Sequence, residues 1–554
     1  MIKSRLRFVS GIIMFLLTFS INSSSFANIS IPEFIRIGLH YDSTATSLVN
    51  LSSNHGFRIS RLNGTTLTTL LDISGETNLR VKKNAYYINN NGNYVEYNPS
   101  NPPANNSNLE GPHHVKIGNN FNNITDAINL RNALNSSGLN SYVFFDGQFK
   151  VYLGNFISSQ DAQRRIDELR ITHPSHNYEL VNPSATSVEI VNNNGQRVFA
   201  YDSSIDICIS NLSGNPIIVN DRSFRGSIIF KRFTGSDMTV INRVRLEEYL
   251  YGVVPREMPA SWNVEALKAQ AIAARNYAIR NINKHSTRGF DLCTTQHCQV
   301  YGGHSSENSN SNRAVDETRG QVIVYNGSLV EAYYHSHSGG RTENSENVWS
   351  AALPYLRGVN DPYSLRSASA NNSWDVIRTK SDIESRLATH GRSVGSLQDI
   401  QITQLSSLGR PMTVTFIGSS GQSTASKDFI RTVLGLNSTM FTLNKETTQS
   451  MDNVQVWAGN LGTTRRINIK GASVISGDNK VRTINTNSQI HVRGASRSDT
   501  IQPDTIVTGY RFSGSGWGHG IGMSQWGAKV MADEGFNYEQ ILRHYYTGVQ
   551  IIKP

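Results

Sequence analysis

The sequence predicts an α+β chain of several domains, with β-rich modules towards its N-terminus and a mixed region in its C-terminal half. Three observations lead there. Short runs of strand period, bounded by turn residues, fill the segment 28–98. A βαββαβ order occupies about 113–182. From about 188 to 552 strands alternate with helices, beginning around one long alanine-rich amphipathic helix and carrying an α/β insert at about 373–442. A length of 554 residues suits three or four such units and is long enough for ordinary hydrophobic cores.

The first 27 residues are read as a targeting segment. Lys3, Arg5 and Arg7 form a basic start, Phe8 to Ile21 is almost wholly apolar, and Ser25-Phe26-Ala27 supplies small residues where a signal peptidase reads. Cleavage is expected after Ala27, giving a secreted protein at the cell wall or the extracytoplasmic face. An uncleaved N-terminal membrane anchor is the alternative, although the apolar run falls short of the roughly 20 residues a span needs. The formal net charge is +10, of which this segment carries three charges, and only 17% of residues are charged. A modest, diffuse basic excess suits an acidic surface. It argues against nucleic acid as a partner, since no nucleic-acid motif accompanies it. Three cysteines, Cys208, Cys293 and Cys298, are too few for a disulfide scaffold.

Within 28–98, Ile35, Ile37 and Leu39 alternate with Arg36, Gly38 and His40, the period of a half-buried strand. Asn98 to Gly111, with Pro99, Pro102 and Pro103, reads as a linker. In 113–182, Val115-Lys116-Ile117 is a strand, and Ile124, Ala127, Ile128 and Leu134 have helical spacing. Tyr142–Phe145 and Phe149–Leu153 flank Asp146-Gly147, a pair that favours the tight primed hairpin turn. Ser158 can cap a second helix with Ala162, Ile166 and Leu169 inward, and Tyr178–Val181 closes the unit. This is the order of a ferredoxin-like module. Its segment Phe149-Lys-Val-Tyr-Leu-Gly-Asn-Phe156, followed by a helix, resembles the SPOR family of glycan-binding domains. That resemblance implies binding to peptidoglycan strands stripped of stem peptides; an unrelated small α/β module is the alternative.

The chemistry concentrates after residue 242. Asn263 can cap a helix in which Val264, Leu267, Ala271, Ala274, Ala278 and Ile282 form an apolar stripe, with Glu265 in the first turn. Just before it, Pro255 and Pro259 bracket Glu257. Each proline fixes its own φ and restricts the residue before it, so this carboxylate is expected to be held in one direction, as a general acid requires. A plain surface glutamate is the competing reading.

Five blocks together carry a second resemblance. The first runs Leu246-Glu-Glu-Tyr-Leu-x-Gly-Val-Val-Pro-x-Glu257-Met-Pro-x-x-Trp262, continuing Glu265-Ala-Leu-Lys-Ala-Gln-Ala-x-Ala-Ala-Arg275-x-Tyr277. The others are Asp291-Leu-Cys293-x-x-x-His297-Cys298-Gln-Val-Tyr301, Glu331 to Trp349 around His335-Ser-His337-Ser338-Gly-Gly, Pro354 to Pro362, and Gly516-Trp-Gly-His519-Gly to Gln525 and Ala528. In this order they resemble the SpoIID/LytB family, stage II sporulation protein D and the amidase enhancers. The resemblance implies a peptidoglycan lytic transglycosylase that cleaves glycan strands, preferably without stem peptides, to 1,6-anhydro-muramic ends. Glu257 would be its catalytic acid, with a raised pKa. A hydrolase needs a second carboxylate, whereas a transglycosylase uses the sugar's own 6-hydroxyl. Arg275, Tyr334, His335, Ser338, His519 and Gln525 become candidate substrate-binding residues; Arg275 could orient Glu257, hold a sugar carboxylate or serve structural pairing.

Cys293, His297 and Cys298 fall within six residues, with His285 nearby, and two Cys with two His make a tetrahedral zinc set. The resemblance implies zinc held by these four. A Cys293–Cys298 disulfide is the rival. Four protein ligands leave no open position, so the metal would be structural and catalysis would need no cofactor. A serine hydrolase is disfavoured, because no Gly-x-Ser-x-Gly elbow or partner Asp is recognisable near Ser338. The loose glycine pattern at 516–522 lacks the context of a dinucleotide site. In the insert, Lys380–Ala388 and Ser426–Leu434 read as helices and Ile400–Ile402 and Met412–Phe416 as strands; strands are also expected over 454–509. The expected partners are glycan strands, with a cell-wall amidase as a second candidate. Two further functions remain open, a non-catalytic amidase enhancer and a glycan-binding wall adaptor.

Overall fold

The computed structural model of the chain describes residues 29–554, apart from 91, 104–107, 234, 453, 459–462, 486–488 and 494–497. The expected signal peptide lies outside the described residues. Among the described residues no helix is long and apolar enough to cross a membrane.

Mixed α+β architecture is what the sequence predicts and what is found, in several layers. Apart from a small sheet of Tyr87–Asn90, Asn93–Glu96 and Leu109–Glu110, the N-terminal strands lie in sheets completed by strands distant in the sequence. Phe34–His40 pairs antiparallel with Met238–Arg245, and Phe57–Asn63 with Ile207–Asn211, in one seven-stranded sheet. Ile35 and Ile37 are fully buried there, as their period predicts. A second, ten-stranded sheet starts with Tyr178–Val181, His113–Phe121, Phe149–Phe156 and Ser141–Phe145 in that spatial order. It continues through Arg197–Asp202, which runs parallel to Ser141–Phe145, and on through Ser187–Asn192 and Asn78–Lys83. Segments 28–98 and 187–245 therefore share both sheets with each other, and the 113–182 unit is joined edge to edge onto the second sheet.

Local features of 113–182 follow the sequence. The helices are Ile124–Ser136 and Ser159–Thr172, and Ser158 Oγ accepts from Asp161 N at 3.1 Å. The hairpin turn differs. Phe145 pairs with Phe149, so the connection holds three residues, with Gly147 at φ +111°. Glycine alone adopts that backbone freely, which is why Asp-Gly marks the turn but not its length.

A buried junction fastens this unit to the rest. Glu189 bonds Lys82 Nζ at 2.6 Å and Arg197 Nε at 2.8 Å, and Arg197 also meets Glu110 at 2.6 Å. Asn84 bridges Glu189 and His114, and His114 Nδ1 lies 3.0 Å from the Tyr142 hydroxyl. A largely buried network of this kind is tolerable only because each charge is paired.

Downstream, the main core continues into a group of mutually packed helices: Leu246–Glu257, Val264–Arg280, Ser309–Glu317, Gln525–Asp533 and Tyr538–Tyr545. The first of these departs from the sequence expectation of a stiff, non-helical approach before Pro259. Pro255 does not prevent it, because it sits in the last turn, where one missing N–H costs a single intrahelical bond.

The insert has its own core, built around Ile383, Leu387, Val414, Phe416 and Ile430. It reaches beyond 373–442. Trp374–Thr379 and Phe441–Ser450 both pair with Asp504–Gly514, whose Tyr510 and Phe512 are fully buried in the same core. The expected helix at 426–434 is shorter, Phe429–Leu434, because Gly421–Ser426 forms a third strand against Pro411–Gly418.

Candidate functional site

Glu257 is the last residue of the helix Leu246–Glu257, which ends where Met258 precedes Pro259. Met258 N–H closes the final turn on Val254 O at 2.9 Å. The carboxylate projects towards two neighbouring segments. Val300 N–H donates to Oε1 at 3.3 Å, and Gln525 Nε2 donates to Oε2 at 3.4 Å. The Tyr334 hydroxyl also hydrogen-bonds to it. Burial raises the Glu257 pKa above the ordinary carboxylate value; these three donors and the charge of Arg256 pull it back only in part.

Each donor is delivered by a close approach. Gly252 faces Tyr301, and a Cβ there would lie 2.6 Å from the ring. Its absence lets Tyr301 pack on the helix, where Gly302 N–H bonds Gly252 O at 2.9 Å and the Tyr301 hydroxyl donates to Asn242 Oδ1 at 2.9 Å. That contact sets Val300 N–H against Glu257. Gly522 does the same for the other side: a Cβ would meet Tyr333 O at 2.1 Å. Close passage there allows the parallel pairing of Tyr334 with Met523 and His335 with Ser524. Tyr334 and Gln525 thus arrive together. Tyr334 is held by Gln299 Nε2, which donates to its hydroxyl at 2.9 Å, and Gln299 Oε1 accepts from the Tyr249 hydroxyl at 3.2 Å. Gln525 is steadied by Gln270 Oε1 at 3.5 Å. Sequence reasoning missed Tyr249, Gln270 and Gln299; all three lie inside the quoted motif blocks, but no spacing rule assigns them.

The six expected substrate-binding residues divide. Tyr334 and Gln525 reach Glu257. Arg275 does not: it is fully buried, and its guanidinium grips Glu247 at 3.0 and 2.6 Å and the carbonyls of Gln321 and Val315. It has no edge left for a ligand and instead ties the start of the Glu257 helix to the next helix. Ser338 is fully buried too, donating to Asp361 Oδ2 at 2.7 Å. His337 is turned to Ser364 O and Asn372 instead, so the Ser–Asp contact builds no nucleophilic triad. His335 is buried with Nδ1 3.1 Å from Ile521 O, and burial pushes its pKa well below the usual value. It faces away from Tyr334, as successive residues of a strand must. His519 is half-buried beside Trp349 and Tyr333, with ring centroids 5.0 and 6.4 Å away.

Glu265 accepts from Tyr538 N at 2.9 Å and from Lys268 Nζ at 2.8 Å, so this second carboxylate of the motif fastens two helices. Beside Glu257 opens a cleft of about 450 Å³ that includes Arg222, Arg256, Val300 and Tyr301 in its walls.

A separate cluster lies behind the 294–301 loop. The ligand atoms of His285, Cys293, His297 and Cys298 all lie within 4.8 Å of one another. Cys298 Sγ is 3.4 Å from His285 Nε2 and 3.7 Å from His297 Nδ1, and Cys293 Sγ is 3.8 Å from His297 Nδ1. Zinc–sulfur and zinc–nitrogen bonds of roughly 2.3 and 2.0 Å imply tetrahedral edges of about 3.3–3.8 Å, so the donor set fits that ion. The two thiols are free, and so is Cys208, which is buried alone in the N-terminal core.

Comparison with known proteins gives the chain's family. Residues 234–325 match the SpoIID model, described as stage II sporulation protein. The match begins well after 149–156, so the SPOR resemblance has no counterpart in it. The amidase enhancer of Bacillus subtilis (strain 168) is 34% identical over 381 residues, which cover 65% of this chain but 48% of that protein. Stage II sporulation protein D of the same organism is 30% identical over 326 residues, covering 56% of this chain and 75% of the relative. The protein of the same name from Bacillus amyloliquefaciens is 30% identical over 328 residues, again covering 75% of its length. The chain thus spans about half of the amidase enhancer and three quarters of the sporulation proteins. On these relationships the chain belongs to the SpoIID/LytB family, that of stage II sporulation protein D and the amidase enhancer.

Proposed function

We propose that this chain is a peptidoglycan lytic transglycosylase with Glu257 as its single acid–base. The observation that carries the reading is a partly buried carboxyl of raised pKa, held by Val300 N–H, Gln525 and Tyr334, with no second carboxylate in its hydrogen-bonded cluster among the described residues. In its acid form Glu257 protonates the glycosidic oxygen as the C1–O bond breaks. The carboxylate so formed then takes the proton of the C6 hydroxyl while that oxygen bonds to C1. The proton balance closes on one group, no water is consumed, and the product is a 1,6-anhydro-muramic end. Tyr334 and Gln525 steer the carboxyl and adjoin the sugar; Tyr333, Trp349 and His519 pack together as a half-buried aromatic group suited to sugar faces.

Zinc at His285, Cys293, His297 and Cys298 fits this reading as a structural clamp. It would fix the loop whose Val300 N–H holds Glu257, and it supplies no chemistry to the reaction. The unit at 113–182 reads as ferredoxin-like on its strand order. Its sheet aromatics Tyr142, Phe144 and Tyr152 are buried, however, so a SPOR-type role would have to use another surface. Export to the cell wall follows from the same substrate.

The test is mass spectrometry of glycan strands freed of stem peptides, incubated with the chain and with Glu257→Gln. Anhydro-ended fragments from the parent alone are expected. No fragments from either, with glycan binding retained, overturns catalysis. That outcome favours the second reading, an enhancer of a cell-wall amidase, which the name of one relative motivates.

A further inference from the structure

The motif arginine, Arg275, is sealed inside the helices, so any recognition of a charged substrate must come from elsewhere. Two other arginines stand in the cleft beside Glu257. Arg256 precedes Glu257 in the chain, and Arg222 approaches from the strand Arg222–Phe224. Both are exposed, and among the described residues no carboxylate lies within ion-pair distance of either. Arg222 is nonetheless held in place: Nη2 donates to Tyr301 O at 3.2 Å, and its guanidinium lies 5.3 Å over the Phe224 ring. It also lines the cleft. Among the described residues the other polar walls are Thr294, Ser305 and Ser306, and no acidic residue lines the cleft. Val300 is common to both places: it lines the cleft, and its N–H holds the Glu257 carboxylate.

We propose that Arg222 and Arg256 form an anion subsite that reads the free lactyl carboxylate of a muramic residue beside the bond to be cut, and so determine specificity for strands without stem peptides. The proposal rests on the glycan-cleaving reading of the same site. In muramic acid the lactyl ether stands on the same ring as C1, so a ring presented to Glu257 carries its carboxylate into the neighbouring cleft. An attached stem peptide turns that carboxylate into an amide, which removes the charge that two guanidinium groups would bind and adds bulk where Tyr301 closes the wall. Guanidinium–carboxylate pairs are among the stronger hydrogen-bonded contacts, and Arg rather than Lys gives the planar, two-point geometry.

The test measures binding rather than turnover. Full-length Glu257→Gln is titrated calorimetrically with three tetrasaccharides: the glucosaminyl–muramyl repeat with free carboxylates, the same with its carboxylates capped as methylamides, and chitotetraose. Free carboxylates should tighten binding about tenfold over the capped form, the scale of one charge-assisted contact. Adding Arg222→Gln and Arg256→Gln should lower the free form to the capped level and leave chitotetraose unchanged. Equal binding of free and capped forms by Glu257→Gln, or a preference that survives both arginine changes, overturns the subsite, as does failure to bind any of the three. A thermal melt of each variant guards against misfolding. The outcome is separable from catalysis: a carboxylate preference without anhydro products from the parent keeps the subsite and removes the transglycosylase.

Discussion

Replacing Gly252 with alanine sets two opposed effects against each other. In a helix interior, alanine is favoured over glycine by about 1 kcal/mol, so a tolerated methyl would stabilise the chain. Here the new Cβ would lie 2.6 Å from one ring carbon of Tyr301, 2.9 Å from another and 3.0 Å from Gly303 O. Comfortable carbon contacts are about 3.5–4.0 Å, so the ring must retreat by about 1 Å. Tyr301 is only 2% exposed and its hydroxyl is engaged by Asn242, which leaves no rotamer into solvent. Overpacking of this kind costs about 1–3 kcal/mol, more than the propensity gain, so the variant should be less stable by about 1 kcal/mol.

The same shift has a chemical consequence. Val300 N–H meets Glu257 at 3.3 Å, already long, and a retreat of the 300–302 loop breaks it. That bond favours the carboxylate, so its loss should raise the Glu257 pKa further and move the alkaline limb of activity upwards. Chemical denaturation reads the first effect, and a carboxyl NMR titration beside a pH–rate profile reads the second. A variant more stable than its parent, with both pH curves unchanged, would refute the account of how the loop holds the acid.

Further outcomes follow from the same geometry. Glu257→Gln should abolish anhydro products yet raise the melting temperature at neutral pH. Burial raises the native pKa, so the carboxyl's contribution to stability is present below its unfolded pKa and is lost as pH climbs through the native one; the melting advantage of the variant should therefore vanish in acid. Arg275→Met should cost about 3–5 kcal/mol in denaturant titrations, because Glu247, 12% exposed, is left without its partner; adding Glu247→Met should recover much of the loss. One zinc per chain is expected by elemental analysis, and a chelator should lower the melting temperature. A chain that carries no metal and shows a Cys293–Cys298 disulfide would sink that assignment.

How far the sequence could be read depends on where each constraint resides. Strands with strict alternation, such as Ile35 and Ile37, and capped helices, such as those after Ser158 and Asn263, are legible because period and cap are local. The sharing of sheets between 28–98 and 187–245, and the central place of Asp504–Gly514 in the insert, are not, because pairing partners so distant leave no local trace. The helix ending at Glu257 was obscured by Pro255, whose penalty is small in a last turn. At the site, Glu257 and the His/Cys set were visible as residue types at telling spacings. Arg275 and Ser338 misled, because a buried structural pair and a ligand contact draw on the same polar residues, and only burial separates them.

That separation bears on what this architecture can do. The acid is brought together from three distant pieces, the helix ending at Glu257, the loop at Val300 and the paired strands that bring Tyr334 and Gln525. Two glycines allow the approach, the Arg275–Glu247 pair ties the start of that helix to the next, and the His/Cys cluster adjoins the Val300 loop. None of those supports donates to the Glu257 carboxylate. A relative could therefore lose the carboxyl and keep the cleft, the arginines and the clamp, remaining a glycan-binding protein of the same shape. Catalyst and enhancer would then differ at one side chain, so the decisive comparison is glycan binding against bond cleavage in the same pair of proteins, the parent and Glu257→Gln.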